Sequence, residues 1–147
     1  MKTEAYRFCQ EYVDLRIERI KKQINEVRAS MSSESKSTAG DKHETGRAML
    51  QLEREKLGQQ LFEAEKMQQL LKKVPINTNG KRVVLGSMVR TNSAIYYIAI
   101  SAGQYLYQNS KIFCISADTP IAKLLWGKTE NDTFVFNGAE FKIIEIS

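Results

Sequence analysis

At 147 residues, with 42% hydrophobic and 27% charged positions, the chain has the size and composition of one or two small globular domains, not of a disordered segment. Its formal net charge of +5 is modest and spread out, with 15 Lys/Arg against 12 Asp/Glu over residues 1–75 and 7 against 5 over 76–147. That balance permits contact with nucleic acid or an acidic partner without demanding it, and no run reaches the roughly 20 apolar residues of a membrane span. The charged start at Lys2 and Glu4 argues against a secretory signal. The two cysteines, Cys9 and Cys114, lie far apart and offer neither a disulfide framework nor a metal-ligand spacing, so a reducing cytoplasm is the expected location.

In chain order, the first element is a long helix expected over about Thr3–Ser30. Val13, Ile17, Ile20, Ile24, Val27 and Met31 step by four and three residues, which makes one apolar seam. Phe8, Cys9, Tyr12 and Leu15 fall off that seam, so the base of the helix is expected to pack on something else. A polar, serine-rich stretch follows over residues 31–46. A second helix is expected from Asp41 to Val74, where Pro75 stops it; Leu50, Leu57, Ala64 and Leu71 recur every seven residues in it, with Leu61, Met67 and Val74 between. Two such helices can bury their seams on each other as an antiparallel hairpin with residues 31–46 at its tip.

Residues 75–80 read as a turn-rich linker, which divides the chain into 1–75 and 76–147. Beyond it the apolar period changes to two. Strands are expected at Val83 and Leu85, at Met88–Arg90, Ile95–Ile100 and Ile112–Ser116, and then at Thr133–Phe136 and Glu140–Ile146 around an Asn137-Gly138 hairpin turn. Thr119-Pro120 has the form of a helix start, and Gly127 that of its stop. The expected fold class is therefore α+β: a long antiparallel coiled-coil hairpin, then a small antiparallel β-sheet domain with one short helix.

The chain holds no Gly-rich phosphate loop, no His/Cys cluster and no nucleophile motif. The residues that carry chemistry are at the tip. Asp41 and Glu44, three apart at a helix start, can point their carboxylates the same way. Mg²⁺ takes six oxygens and commonly only one or two protein carboxylates, so this pair can complete a site whose other ligands belong to a partner. The same spacing fits a capping box, in which Asp41 accepts from a backbone N–H and Glu44 reaches back; the two roles are compatible.

The run Ile115-Ser116-x-x-Thr119-Pro120-Ile121-Ala122-x-x-Leu125-x-Gly127-Lys128, with Val84, Gly86 and Val89 upstream and Asp132 downstream, resembles the C-terminal domain of the Gre family of bacterial transcription elongation (transcript cleavage) factors. Gly40-Asp41-x-x-Glu44 is similar to that family's tip motif. The family's order, a long coiled coil followed by an FKBP-like domain, matches essentially the whole chain.

The resemblance implies a monomer that binds bacterial RNA polymerase, docks through Thr119, Pro120, Ile121, Gly127 and Lys128, and inserts the hairpin into the secondary channel. Asp41 and Glu44 would there help hold the polymerase's Mg²⁺ while it cleaves the 3′ end of backtracked RNA; the chain would have no cofactor of its own and would not itself be an enzyme. Lys42, His43 and Arg47, with Lys36, surround the acids and could meet RNA or polymerase. Arg16, Arg19 and Lys22 could steer RNA phosphates, although they equally suit a solvated helix face. Family tips continue with Asn, an acid and Tyr, where this chain has Thr45, Arg47 and Ala48. A regulator or inhibitor that occupies the channel without stimulating cleavage is the alternative. Trp126, Tyr96, Tyr97, Tyr105 and Tyr107 could line a prolyl-isomerase-like pocket or, as ordinary aromatics, form core and docking surface.

Overall fold

The computed structural model describes the backbone of residues 1–35 and 41–147, and the side chains of residues 1–33 and 44–147. The described elements are α1 (Lys2–Ser35), α2 (Asp41–Lys72), β1 (Met88–Thr91), β2 (Ile95–Ala99), β3 (Gly103–Tyr107), β4 (Ser110–Ser116), α3 (Pro120–Leu125), β5 (Thr133–Phe136) and β6 (Ala139–Ile146). The fold is α+β, a helical hairpin followed by a six-stranded sheet and a short helix. Two compact units result: Val13–Gln68, and Met1–Tyr12 together with Gln69–Ser147. Among the described residues, no helix is long and apolar enough to cross a membrane.

In the unit Val13–Gln68, the apolar seams are buried in part, with Ile24, Met31, Leu50, Leu61 and Met67 half-buried. Val13, Ile17, Ile20 and Val27 of α1 and Leu57 and Ala64 of α2 are each no more than 9% exposed. Gln68 Nε2 donates to Asp14 Oδ1 at 3.2 Å, a cross-helix bond between the start of one segment and the end of the other, as antiparallel pairing requires. Leu15 lies off the seam and is exposed, so the apolar surplus expected at that position is not buried. α1 runs on past Ser30 to Ser35.

In the other unit, α2 ends at Lys72, and Lys73 and Val74 close it with tightened bonds to Leu70 and Leu71 before Pro75. The sheet order is β3-β4-β2-β1-β6-β5. Four of its pairs are antiparallel, but β2 and β4 run parallel, from Ile95 opposite Ile112 to Ala99 opposite Ser116. The sheet is therefore mixed, not antiparallel throughout. The cause is β3, which the sequence reading missed. It lies outside β4, so the returning β4 enters beside β2 in the same direction. Gly103 and Gln104 dilute the alternation of that strand, and its turn residues Gln108 and Asn109 reach φ of 47° and 67° without a glycine to announce it.

Val83 and Leu85 do not join the sheet. The backbone of Val83 instead exchanges bonds with the end of α3, donating to Lys128 O and accepting from Gly127 N, both at 2.9 Å. α3 covers one sheet face: Ala122 and Leu125 are fully buried among Val89, Tyr96, Ile98, Phe134 and Ile143. The first turns of α1 cover the other. Cys9 is buried and accepts a hydrogen bond from the free thiol of Cys114 on β4, while the Phe8 ring stacks on Tyr105 with centroids 4.8 Å apart. Residues 69–78 are tied to the same place by Tyr6 Oη to Leu71 O and by Lys2 Nζ to Thr78 Oγ1. Strand β2, flanked by β1 and β4, is buried at every position.

Candidate functional site

The start of α2 is Asp41, so Asp41 and Glu44 share its first turn. The side chain of Glu44 is exposed, and Arg47, one turn further on, is exposed as well. The side chains of Asp41, Lys42 and His43, and the whole of Lys36 and Gly40, lie outside the described residues. Among the described residues, no group of three or more His, Cys, Asp or Glu gathers in a way that could hold a metal. What this helix start offers a cation is two acidic positions three apart, with Glu44 open to a partner, which suits a share in a site and not a whole one.

The basic residues of α1 are not brought to that turn. Arg16, Arg19 and Lys22 are all exposed, but thirteen residues separate Lys22 from the end of α1 at Ser35. At about 1.5 Å per residue that is roughly 20 Å along the helix.

The motif at the other end of the sequence is first of all a device for building α3. Thr119 Oγ1 accepts from Ala122 N at 3.4 Å and donates to Ser116 O at 2.8 Å, and Pro120 takes the first helical position. Ile121 packs against the core cluster. Gly127 at φ 77° turns the chain out of the helix and bonds Val83, while Lys128 N returns to Leu125 O at 3.0 Å. Asp132 accepts from Thr129 N at 2.8 Å and from its hydroxyl at 3.1 Å, bonds that hold its carboxyl below the usual carboxylate range. The surface left for a partner by this scaffold is Pro120, Lys123, Leu124 and Trp126, all exposed.

The five aromatic residues are dispersed. Tyr96 stacks on Phe113 in the core, Tyr97 is buried, and Tyr105 is covered by Phe8. Trp126 lines a cleft together with residues of the segment 75–85. Two features were not read from the sequence. One is the meeting of Cys9 and Cys114, for which a separation of over a hundred residues leaves no local signal. The other is this cleft, in which Lys81 and Arg82 sit beside an exposed tryptophan; the adjacent cations were visible in the sequence, but nothing there paired them with Trp126.

No family model matches the sequence, and no curated protein matches it either. Among solved structures, that of the transcription factor Gfh1 is similar, at 18% identity over 92% of this chain and 91% of that one, with a TM-score of 0.38.

Proposed function

We propose that this chain is a Gre-like transcription factor that binds bacterial RNA polymerase, enters its secondary channel with the α1–α2 hairpin and stimulates Mg²⁺-dependent cleavage of backtracked RNA. The observation that carries the reading is the coexistence of two features in one chain. One is a helical hairpin whose second helix opens on Asp41 with Glu44 exposed a turn later. The other is a separate α+β unit bearing the capped Thr119–Lys128 motif that resembles the family's.

When bound at the polymerase centre, Mg²⁺ supplies an activated water and stabilises the leaving oxygen of the phosphodiester. The part of this chain is narrower. Asp41 and Glu44 provide carboxylate oxygens from one helical turn, and the hairpin sets where those oxygens are delivered. Lys42, His43 and Arg47 lie close in sequence to the acids, and in this reading their charge serves RNA phosphates or the channel wall. Pro120 and Leu124 give the C-terminal unit an apolar docking spot, with Lys123 and Lys128 beside it.

Stalled elongation complexes of polymerase from the same source decide between this and the alternative. Wild-type protein is expected to shorten the RNA from its 3′ end, and the Asp41→Asn/Glu44→Gln variant to bind without doing so. Equal shortening by both removes the acids from the mechanism. The exposed Arg47, an inverted charge relative to the family's tip, favours the second reading, a channel-occupying regulator. Slower nucleotide addition with no cleavage product selects it.

A further inference from the structure

We propose that the cleft between residues 75–85 and Trp126 is a binding site for a nucleoside phosphate. The cleft measures about 610 Å³, within the roughly 300–1,000 Å³ of small-molecule sites. Its walls are Pro75, Val84, Leu85 and the Trp126 ring, and the tryptophan keeps 47% of its surface in solvent. A half-exposed indole on a concave apolar wall presents a flat face of the kind on which nucleobases stack, whatever the base.

Lys81 and Arg82 line the same cleft, and among the described residues no carboxylate side chain does. Arg82 Nη1 donates to Gly127 O at 3.0 Å, which anchors the guanidinium beside Trp126 and leaves its other N–H groups to a ligand. A planar, anchored fork next to a mobile ammonium is a good match for phosphate oxygens. Asp132, which senses both Lys128 and Arg82, is occupied by the backbone and hydroxyl of Thr129.

The polar lining supplies the third element. The hydroxyl of Thr78 is committed, accepting from Lys2 Nζ and donating to Ser147 O. Asn79 Oδ1 accepts from Lys81 N at 3.0 Å, which leaves its amide NH₂ as a donor. Asn77 lines the cleft with an amide that has both donor and acceptor to offer a base edge. Paired cations alone would serve an acidic protein segment equally well; it is the stacking face and the amide edges beside them in one concave volume that favour a single nucleotide, since such a segment needs no aromatic plane.

Trp126 is the only tryptophan of the chain, so its fluorescence reports the site directly. Full-length protein is titrated with ATP, GTP and UTP, with adenosine and inorganic tripolyphosphate as controls, and binding is checked by calorimetry. Saturable quenching by the nucleotides is expected, together with affinity at least roughly tenfold weaker for adenosine, as expected for lost charge-assisted bonds. Tripolyphosphate should leave the emission unchanged. Lys81→Glu, on an exposed side chain, should weaken nucleotide binding by a similar factor while the melting temperature stays put; Arg82→Lys keeps the charge and should fall between. The absence of quenching and heat up to millimolar nucleotide overturns the proposal. So does adenosine binding as well as ATP, or indifference to Lys81→Glu. Quenching by an acidic peptide in place of the nucleotides assigns the cleft to a protein segment and also overturns it. The titration involves no polymerase, so its outcome is separate from that of the transcript-cleavage assay.

Discussion

Gly86 shows how a single residue joins two parts of the chain. Its φ is +90°, and a Cβ built there would lie 2.5 Å from the carbonyl oxygen of Pro75, three residues past the end of α2. Backbone meets backbone, so no side-chain rotation relieves it. Gly127 has a similar φ, +77°, with nothing within 4 Å of the corresponding Cβ position. Gly127→Ala should therefore cost only the left-handed penalty, about 1–2 kcal/mol, whereas Gly86→Ala adds a steric overlap and should cost upwards of ~3 kcal/mol. Denaturant unfolding of the two variants checks the order; equal losses would show that the 75–86 segment yields. At this scale legibility followed the turn chemistry. Asn137-Gly138 announced its hairpin, with φ of 52° and 77° as a tight turn requires. Gln108-Asn109 makes the same kind of turn, and without glycine it gave no sign.

The elements were legible where one face carried the signal and obscure where two faces did. The four-three seam of α1 and the heptad positions of α2 read correctly because each is buried along one stripe. The apolar surplus at Phe8 and Cys9 rightly pointed to a second covering, but the partner strand could not be named from one end of the sequence. That covering has a chemical consequence. The Cys114 thiol donates to Cys9, and burial adds to the effect, so the Cys114 pKa is pushed well above its ordinary 9.0. The folded state thus keeps the thiol neutral, and its stability contribution is complete below pH 9.0 and is lost as pH rises further. Unfolding free energy should decline between pH 9.0 and 10.0, before the buried Tyr97 and the half-buried Tyr105 join in with the same sign. Cys114→Ala should make that decline shallower. A thiol-reactive disulfide reagent should label neither cysteine in native protein and both in denaturant; rapid native labelling would mean that the base of α1 lifts from the sheet.

For the whole molecule, the hairpin-then-sheet order and the α+β class were readable because the apolar period switches once, after Pro75. The mixed sheet was not, because one overlooked strand decides the direction of its neighbour. At the tip the sequence offered two acids three apart, and of these only the Glu44 side chain is among those described. Arg47 is where the two functional readings part. If the acids act within the polymerase centre, Arg47→Glu restores the family's sign of charge beside them and should raise 3′ cleavage several-fold over wild type in stalled complexes. If the hairpin only fills the channel, the same substitution should change inhibition of nucleotide addition and produce no cleavage.

The central strand carries one more implication. Ile95–Ala99 has neighbours along both edges and a covering on both faces, so no partial fluctuation admits solvent to its amides. In native-state hydrogen exchange these protons should be the last to be replaced by deuterium, and their free energy of opening should equal that of complete unfolding of this unit. The outermost strands, Gly103–Tyr107 and Thr133–Phe136, should exchange far sooner. The span between those two clocks measures how cooperatively the sheet holds together.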